Sequence, residues 1–328
     1  MLTAPPVAAR ESSHLYSRAI PVDNGVRMTP RFARLPLILG CLFLLTPVIP
    51  AQEAEPAWAI LESGRRYFRD GRYGEALRRF RQVLDVQPEN SEAAYSIGRI
   101  FEEHGDYREA LRYYGRALEG TGFTVPEREA RVRYRRAQIH ETRGDFGRYE
   151  REMAALFELD DYYSSDETAP QRQNQLRLVR ERSLSRALVL YRIEAGPFAD
   201  PHTDYGAYLV HAGRFAEATP HLVRSVLESF SHAIERYRRI ESRYTFETLG
   251  SFLNRIESVP GIVEFLAERR IWEGVYYLAT SLYFDGYSTR GRELWHFLSG
   301  RSEAGEWADA ANRQLSSPRP PTFPRRAP

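Results

Sequence analysis

The feature that most constrains this chain is a 34-residue unit written twice in succession, at 57–90 and 91–124. Laid over one another without a gap, the copies match Ala59 with Ala93, Gly64 with Gly98, Arg65 with Arg99, Gly71 with Gly105 and Tyr73 with Tyr107. They also match Glu75, Ala76, Leu77 and Arg78 with Glu109, Ala110, Leu111 and Arg112, and Leu84 with Leu118. A fixed period of this length, punctuated by small residues, predicts a helix–turn–helix unit that cannot bury its apolar face alone and must stack on neighbours.

Each position in the unit has a physical reason. In the first copy a helix over about 57–70 carries Ser63 and Gly64, which put no bulk where a second helix crosses. Gly71 ends it as a glycine just past a helix end is expected to do. The second helix, about 74–86, brings Ala76 and Val83 for close approach, and Leu77, Phe80 and Leu84 fill the interface. Pro88 then stops it. The second copy repeats the plan with Gly98, Gly105, Ala110, Tyr114, Ala117 and Leu118, but Gly120, Thr121 and Gly122 replace the terminal proline.

These residues resemble the tetratricopeptide repeat. The resemblance implies an all-α fold, an α-solenoid of helix–turn–helix repeats forming a right-handed superhelix. It also extends along the chain. A third unit at 127–158 is offset by 39 residues, with Ala137 in the place of Gly98 and Gly144 in the turn. A fourth at 199–230 has Gly206, Gly213 and Ala218 at the matching intervals, with Pro220 near the start of its second helix. A last one at 272–298 has Ala279, Gly286, Leu294, Trp295 and Leu298. The expected organisation is therefore N-terminal repeats over 52–158, a polar loop over 159–172, and degenerate helical repeats with a capping helix over 173–315. The Pro- and Arg-rich stretch 316–328 reads as a disordered tail.

Ahead of the repeats, Arg31 and Arg34 lead into a run of 16 mostly apolar residues that ends near Ala51. A short basic region, an apolar region and a small residue at its end form the pattern of a secretory signal peptide over 28–51. On this reading Met28 is the start and 1–27 an upstream extension. Two alternatives stand beside it. The run can act as an uncleaved anchor, though it is short against the ~20 residues of a bilayer span. Alternatively Cys41, the single cysteine, can carry a lipid, since the residues Ile38–Cys41 resemble a bacterial lipobox. Contact with a membrane is expected only through such an anchor or a lipidated Cys41. Each of these readings places the protein in the periplasm or cell envelope of a bacterium.

Charge and chemistry narrow the function. All 46 basic residues are arginine, spread along the chain. Removal of 1–51 takes away five arginines and two acids, which leaves 41 basic against 42 acidic side chains. A nearly neutral body gives no electrostatic reason to bind nucleic acid. His140 and Glu141 begin like a zinc-binding HExxH, but Gly144 stands where the second histidine belongs. His202, His211 and His221 lie nine and ten residues apart, which does not set them on one helical face. Asp160, Asp161, Asp166 and Glu167 lack the ligand spacing of a calcium loop and read as a solvated segment. The sequence carries no phosphate-binding glycine loop and no nucleophile elbow. No cofactor, metal or catalytic residue is therefore expected.

In the repeat family the first helix of each pair lines a concave face. By that resemblance the first unit offers Trp58, Leu61, Arg65, Phe68 and Arg69, and the second Glu92, Tyr95, Arg99, Glu102 and Glu103. The third offers Arg131, Tyr134 and Gln138. Aromatic rings flanked by arginines suit a groove for a protein or peptide segment. The expected function is a non-enzymatic interaction scaffold. Two alternatives accompany it: a helix such as 174–194 fills the groove from within, or the protein is a transport accessory that handles a small or apolar ligand.

Overall fold

The computed structural model describes residues 55–121, 123, 126–194 and 196–322. The upstream extension, the signal segment with Cys41, and 323–328 of the tail lie outside the described residues. The helices are α1 (Ala57–Arg69), α2 (Tyr73–Val86), α3 (Ser91–Glu103), α4 (Tyr107–Glu119), α5 (Pro126–Thr142), α6 (Phe146–Phe157), α7 (Asp161–Ser164) and α8 (Ala169–Glu181). They continue as α9 (Leu184–Leu190), α10 (Ala199–His211), α11 (Phe215–Ile240), α12 (Leu249–Ile256), α13 (Pro260–Glu268), α14 (Ile271–Phe284), α15 (Ser288–Ser299) and α16 (Glu306–Ser316). Among the described residues there is no strand, and the fold is an all-α solenoid of helical pairs.

Five pairs follow one rule: α1/α2, α3/α4, α5/α6, α10/α11 and α14/α15. Each has a glycine of positive φ in its turn, namely Gly71, Gly105, Gly144, Gly213 and Gly286. Gly71 shows why. Its N–H donates to the Phe68 carbonyl, and the next N–H, of Arg72, donates to Tyr67, which satisfies two end carbonyls of α1 through a left-handed residue. Seven residues before each of these glycines stands a small residue, and sixteen residues after that small one stands a large buried side chain. The couples are Gly64 with Phe80, Gly98 with Tyr114, Ala137 with Met153, Gly206 with Leu222, and Ala279 with Trp295. At Gly98 a Cβ would sit 2.6 Å from the Tyr114 ring. The tyrosine occupies the space the glycine leaves, so the two helices approach closely without strain.

The core has two parts. Ile60, Phe80, Ala93, Ile97 and Tyr114 belong to the first, and Met153, Leu188, Leu222, Phe230, Leu278 and Trp295 to the second. Helix α5 serves both, with Val132 and Ile139 in the first and Ala130 and Ala137 in the second. α11, 26 residues long, is the spine of the second part and packs against α8, α9, α10, α13 and α14.

Three expectations are corrected. The segment 159–172 is not a solvated loop: it holds α7 and the first turn of α8, and Asp160 is 3% exposed. The helix expected over 174–194 breaks at Arg182 and Ser183 into α8 and α9. These pack against α11, and α8 also meets α15, so the segment does not fill the groove of the first repeats. The tail expected to be disordered from residue 316 is held at Arg319, whose N–H and carbonyl both bond the Gln314 side chain.

Candidate interaction groove

The first helices of the leading pairs, α1, α3 and α5, bring their exposed faces to two adjoining cavities. The smaller, about 200 Å³, lies between α1 and α3, with Phe80 at its base and Arg65, Phe68, Arg69, Glu92, Tyr95, Ser96 and Arg99 around it. The larger, about 710 Å³, lies between α3 and α5 on one side and the segment 196–200 with Arg269 and Arg270 on the other. Tyr95 and Arg99 line both and join them into one trough.

Nine of the thirteen residues named from the repeat pattern line this trough: Arg65, Phe68, Arg69, Glu92, Tyr95, Arg99, Arg131, Tyr134 and Gln138. Four do not. Glu103 lies outside both cavities, 3.8 Å from Arg99. Trp58, 73% exposed, stands at the start of α1 outside both cavities. Leu61 packs partly against the first core. Glu102 is turned to internal work, accepting a hydrogen bond from the Tyr114 hydroxyl and one of 3.1 Å from Arg135.

The lining residues differ in how free they are. Arg65 is paired with Glu92 at 2.9 Å, and Glu92 also takes Arg128. The Arg99 guanidinium lies 4.5 Å over the Phe68 ring, a contact between successive repeats worth about 0.5–1 kcal/mol at a partly exposed site. Tyr134 donates its hydroxyl to Asp204 on α10. Burial and that carboxylate push its ionisation far above the ordinary tyrosine range. Arg131 is exposed and makes no ion pair among the described residues.

The far wall was invisible to repeat logic, because its residues belong to later elements. Arg270 precedes α14 in a left-handed conformation, φ 50°, unusual for a residue with a side chain. Its guanidinium holds Asp204 at 2.6 Å and Glu273 at 2.8 Å. Asp200 lies 3.9 Å from Arg269. Desolvation raises the Asp200 carboxyl above its ordinary range, and Arg269 opposes that. Of the five guanidiniums lining the larger cavity, Arg99 is paired with Glu103, Arg135 with Glu102, Arg269 with Asp200 and Arg270 with Asp204 and Glu273, while Arg131 makes no ion pair among the described residues. The Gly196-Pro197 dipeptide, a local breaker, is the one sequence signal that points to this wall.

The histidines occupy different helical faces, yet two of them are neighbours. His202 and His221, set apart by sequence spacing, meet in space because they lie on the adjoining helices α10 and α11. Their Nδ1 atoms are 2.8 Å apart. Among the described residues no group of three or more metal-ligating side chains forms.

The fold is that of stacked helical pairs, and comparison with known proteins agrees. Residues 61–120 and 97–159 match the family model of the tetratricopeptide repeat, which supports that family for this part of the chain. An uncharacterized protein of Treponema pallidum (strain Nichols) is 23% identical over 228 residues, 69% of this chain and 61% of that protein. The photosystem I assembly protein Ycf3 of Cuscuta gronovii is 34% identical over 84 residues, 24% of this chain and 50% of that protein. This chain therefore spans between half and two thirds of the curated relatives it matches. Among solved structures, the TPR2AB-domain:pHSP90-complex of yeast Sti1 aligns over 79% of this chain and 95% of that one, with 12% identity and a TM-score of 0.28. These matches indicate no catalytic family.

Proposed function

We propose that this protein is a non-enzymatic interaction scaffold that takes a segment of a partner protein in the trough along α1, α3 and α5. The observation that carries the reading is the joining of the two cavities through Tyr95 and Arg99, with the exposed Arg131, in no ion pair among the described residues, in the larger one. Such a surface attracts an acidic segment and offers aromatic rings for its apolar side chains. A transport accessory for an apolar ligand would want a continuous apolar channel in this place; the arginines favour the scaffold. The basic and apolar run ahead of Ala51 supports work in a bacterial envelope, after secretion or on a lipid anchor.

Pull-down from envelope extract, comparing the wild type with Tyr95→Ala and Arg99→Glu, tests the proposal. Loss of the same partner in both variants is the expected outcome. Unchanged partners in both would remove the groove from the account.

A further inference from the structure

A second site lies away from the trough. It is a pocket of about 310 Å³ between α7, α8 and α11, at the lower end of the range for small-molecule sites. Its lining includes Tyr162, Tyr163, Leu176, Pro220 and Val223 as apolar and aromatic walls, and Arg172, Gln175 and Arg224 as polar groups, with no acid among its lining residues.

The walls are built by a buried polar network that the groove does not use. Asp160, 3% exposed, caps α7 by accepting from the Tyr162 N–H at 3.2 Å. Its carboxylate also takes Arg224 at 3.1 Å, and Arg224 reaches Glu228 at 2.5 Å. The Arg224 guanidinium lies 4.9 Å from the Tyr162 ring and so supports one wall. On its other side Asp160 meets His202, His202 meets His221, and His221 meets the Tyr163 hydroxyl at 3.0 Å, which fixes the second wall. One buried carboxylate thus orients both tyrosines.

Two donors are left over. The Tyr162 hydroxyl donates to Gln175 Oε1 at 2.5 Å, while Gln175, 2% exposed, has no partner for its Nε2. An unmet buried donor is a cost that an acceptor in the pocket would relieve. Arg172 spends a single nitrogen, Nη1, on the Tyr162 and Ser165 carbonyls and the Thr168 hydroxyl. Its Nε and Nη2 have no partner among the described residues. The guanidinium is therefore anchored at one corner with the rest of its fork unspent, beside the Tyr163 ring at 5.9 Å.

The geometry points to a binding site for a small organic carboxylate with a flat or branched apolar body. The carboxylate meets Arg172 and the Gln175 amide, and the body lies between Tyr162, Tyr163 and the apolar wall of Leu176, Pro220 and Val223. This inference is independent of the groove, since none of these residues lines the trough.

The test is thermal denaturation and calorimetric titration of the full chain with sodium benzoate, with benzamide as the uncharged counterpart and sulfate as the anion without a ring. Saturable benzoate binding with a raised melting temperature is expected, with roughly tenfold weaker response to benzamide or sulfate. Ala169→Trp, which fills the pocket from its half-buried rim, and Arg172→Gln should each abolish the benzoate response. Ala169→Trp leaves the Arg172 anchor in place, so its helical circular dichroism should match the wild type. No saturable benzoate binding to the wild type, an equal response to benzamide, or wild-type affinity in folded Ala169→Trp would overturn the proposal.

Discussion

The Tyr134 hydroxyl on α5 donates to Asp204 on α10, joining residues 70 positions apart. Asp204 also holds Arg270, so one carboxylate ties the third helical pair to the fourth and to the start of α14. Tyr134→Phe removes one of these bonds and leaves the Arg270 pair, and should lower stability by about 0.5–1.5 kcal/mol. Asp204→Ala removes both and leaves Arg270 with Glu273 alone, and should cost more, about 1.5–3 kcal/mol. Urea denaturation of the two variants checks the order.

The small residues of the pairs set a second prediction. In Gly98→Val the new Cβ would stand 2.6 Å from the Tyr114 ring, which is itself fully buried and cannot swing away. Overpacking of this kind costs about 1–3 kcal/mol. Gly105→Ala meets nothing within 4 Å but must hold φ 74°, so its cost of about 1 kcal/mol is conformational. In a double variant of Gly105→Ala and Gly71→Ala the two costs should add to within about 0.5 kcal/mol, any excess reporting the Tyr73–His104 ring contact of 5.3 Å that links the turns.

The buried histidine pair makes stability depend on pH in a stated direction. Burial, partly opposed by Asp160, lowers His202 to about 4, and burial with the neighbouring His202 holds His221 well below the ordinary histidine value. Burial works upward on Asp160, but His202 and Arg224 outweigh it and keep the carboxyl below its ordinary range. Below about pH 6.5 the unfolded chain takes up protons on these histidines that the folded chain does not. Stability is therefore complete above pH 6.5 and falls as pH drops from there toward 4, by up to ~1.4 kcal/mol per pH unit for each histidine. Denaturation midpoints across pH 4–8 should show the slope, and His221→Gln should reduce it. The charged groups facing the pair are Asp160 and Arg224, and the Asp160 carboxyl, held below its ordinary range, stays ionised over most of that window.

Much of this was legible in the sequence. The interval of seven from a small residue to the turn glycine can be read in all five pairs, because sterics leave few residues able to fill those two positions. Gly64, Gly98 and Gly206 announce close crossings, and Gly71, Gly105, Gly144, Gly213 and Gly286 announce turns. Asp160 reads as solvated in the sequence because a short polar run looks alike whether it is solvated or folded onto Arg224. Composition reports polarity, and only the three-dimensional partner reports satisfaction. The far wall of the trough escaped for a related reason. Asp200, Arg269 and Arg270 come from elements that the repeat period does not relate to α3 and α5. The spacing of His202 and His221 does not reveal that they meet, because helical-face arithmetic applies within one helix, and they occupy two.

The central claim is that the trough binds an acidic partner segment, and Arg131 offers the cleanest probe because it is exposed and unpaired among the described residues. Arg131→Glu should change stability by no more than about 0.5 kcal/mol. The direct measurement is selection of a random displayed-peptide library on the full chain, run in parallel on wild type and Arg131→Glu. The account predicts enrichment of acidic peptides bearing apolar side chains on the wild type, and their loss on the variant. Enrichment without acidic bias, or the same acidic peptides recovered equally on both proteins, would contradict it.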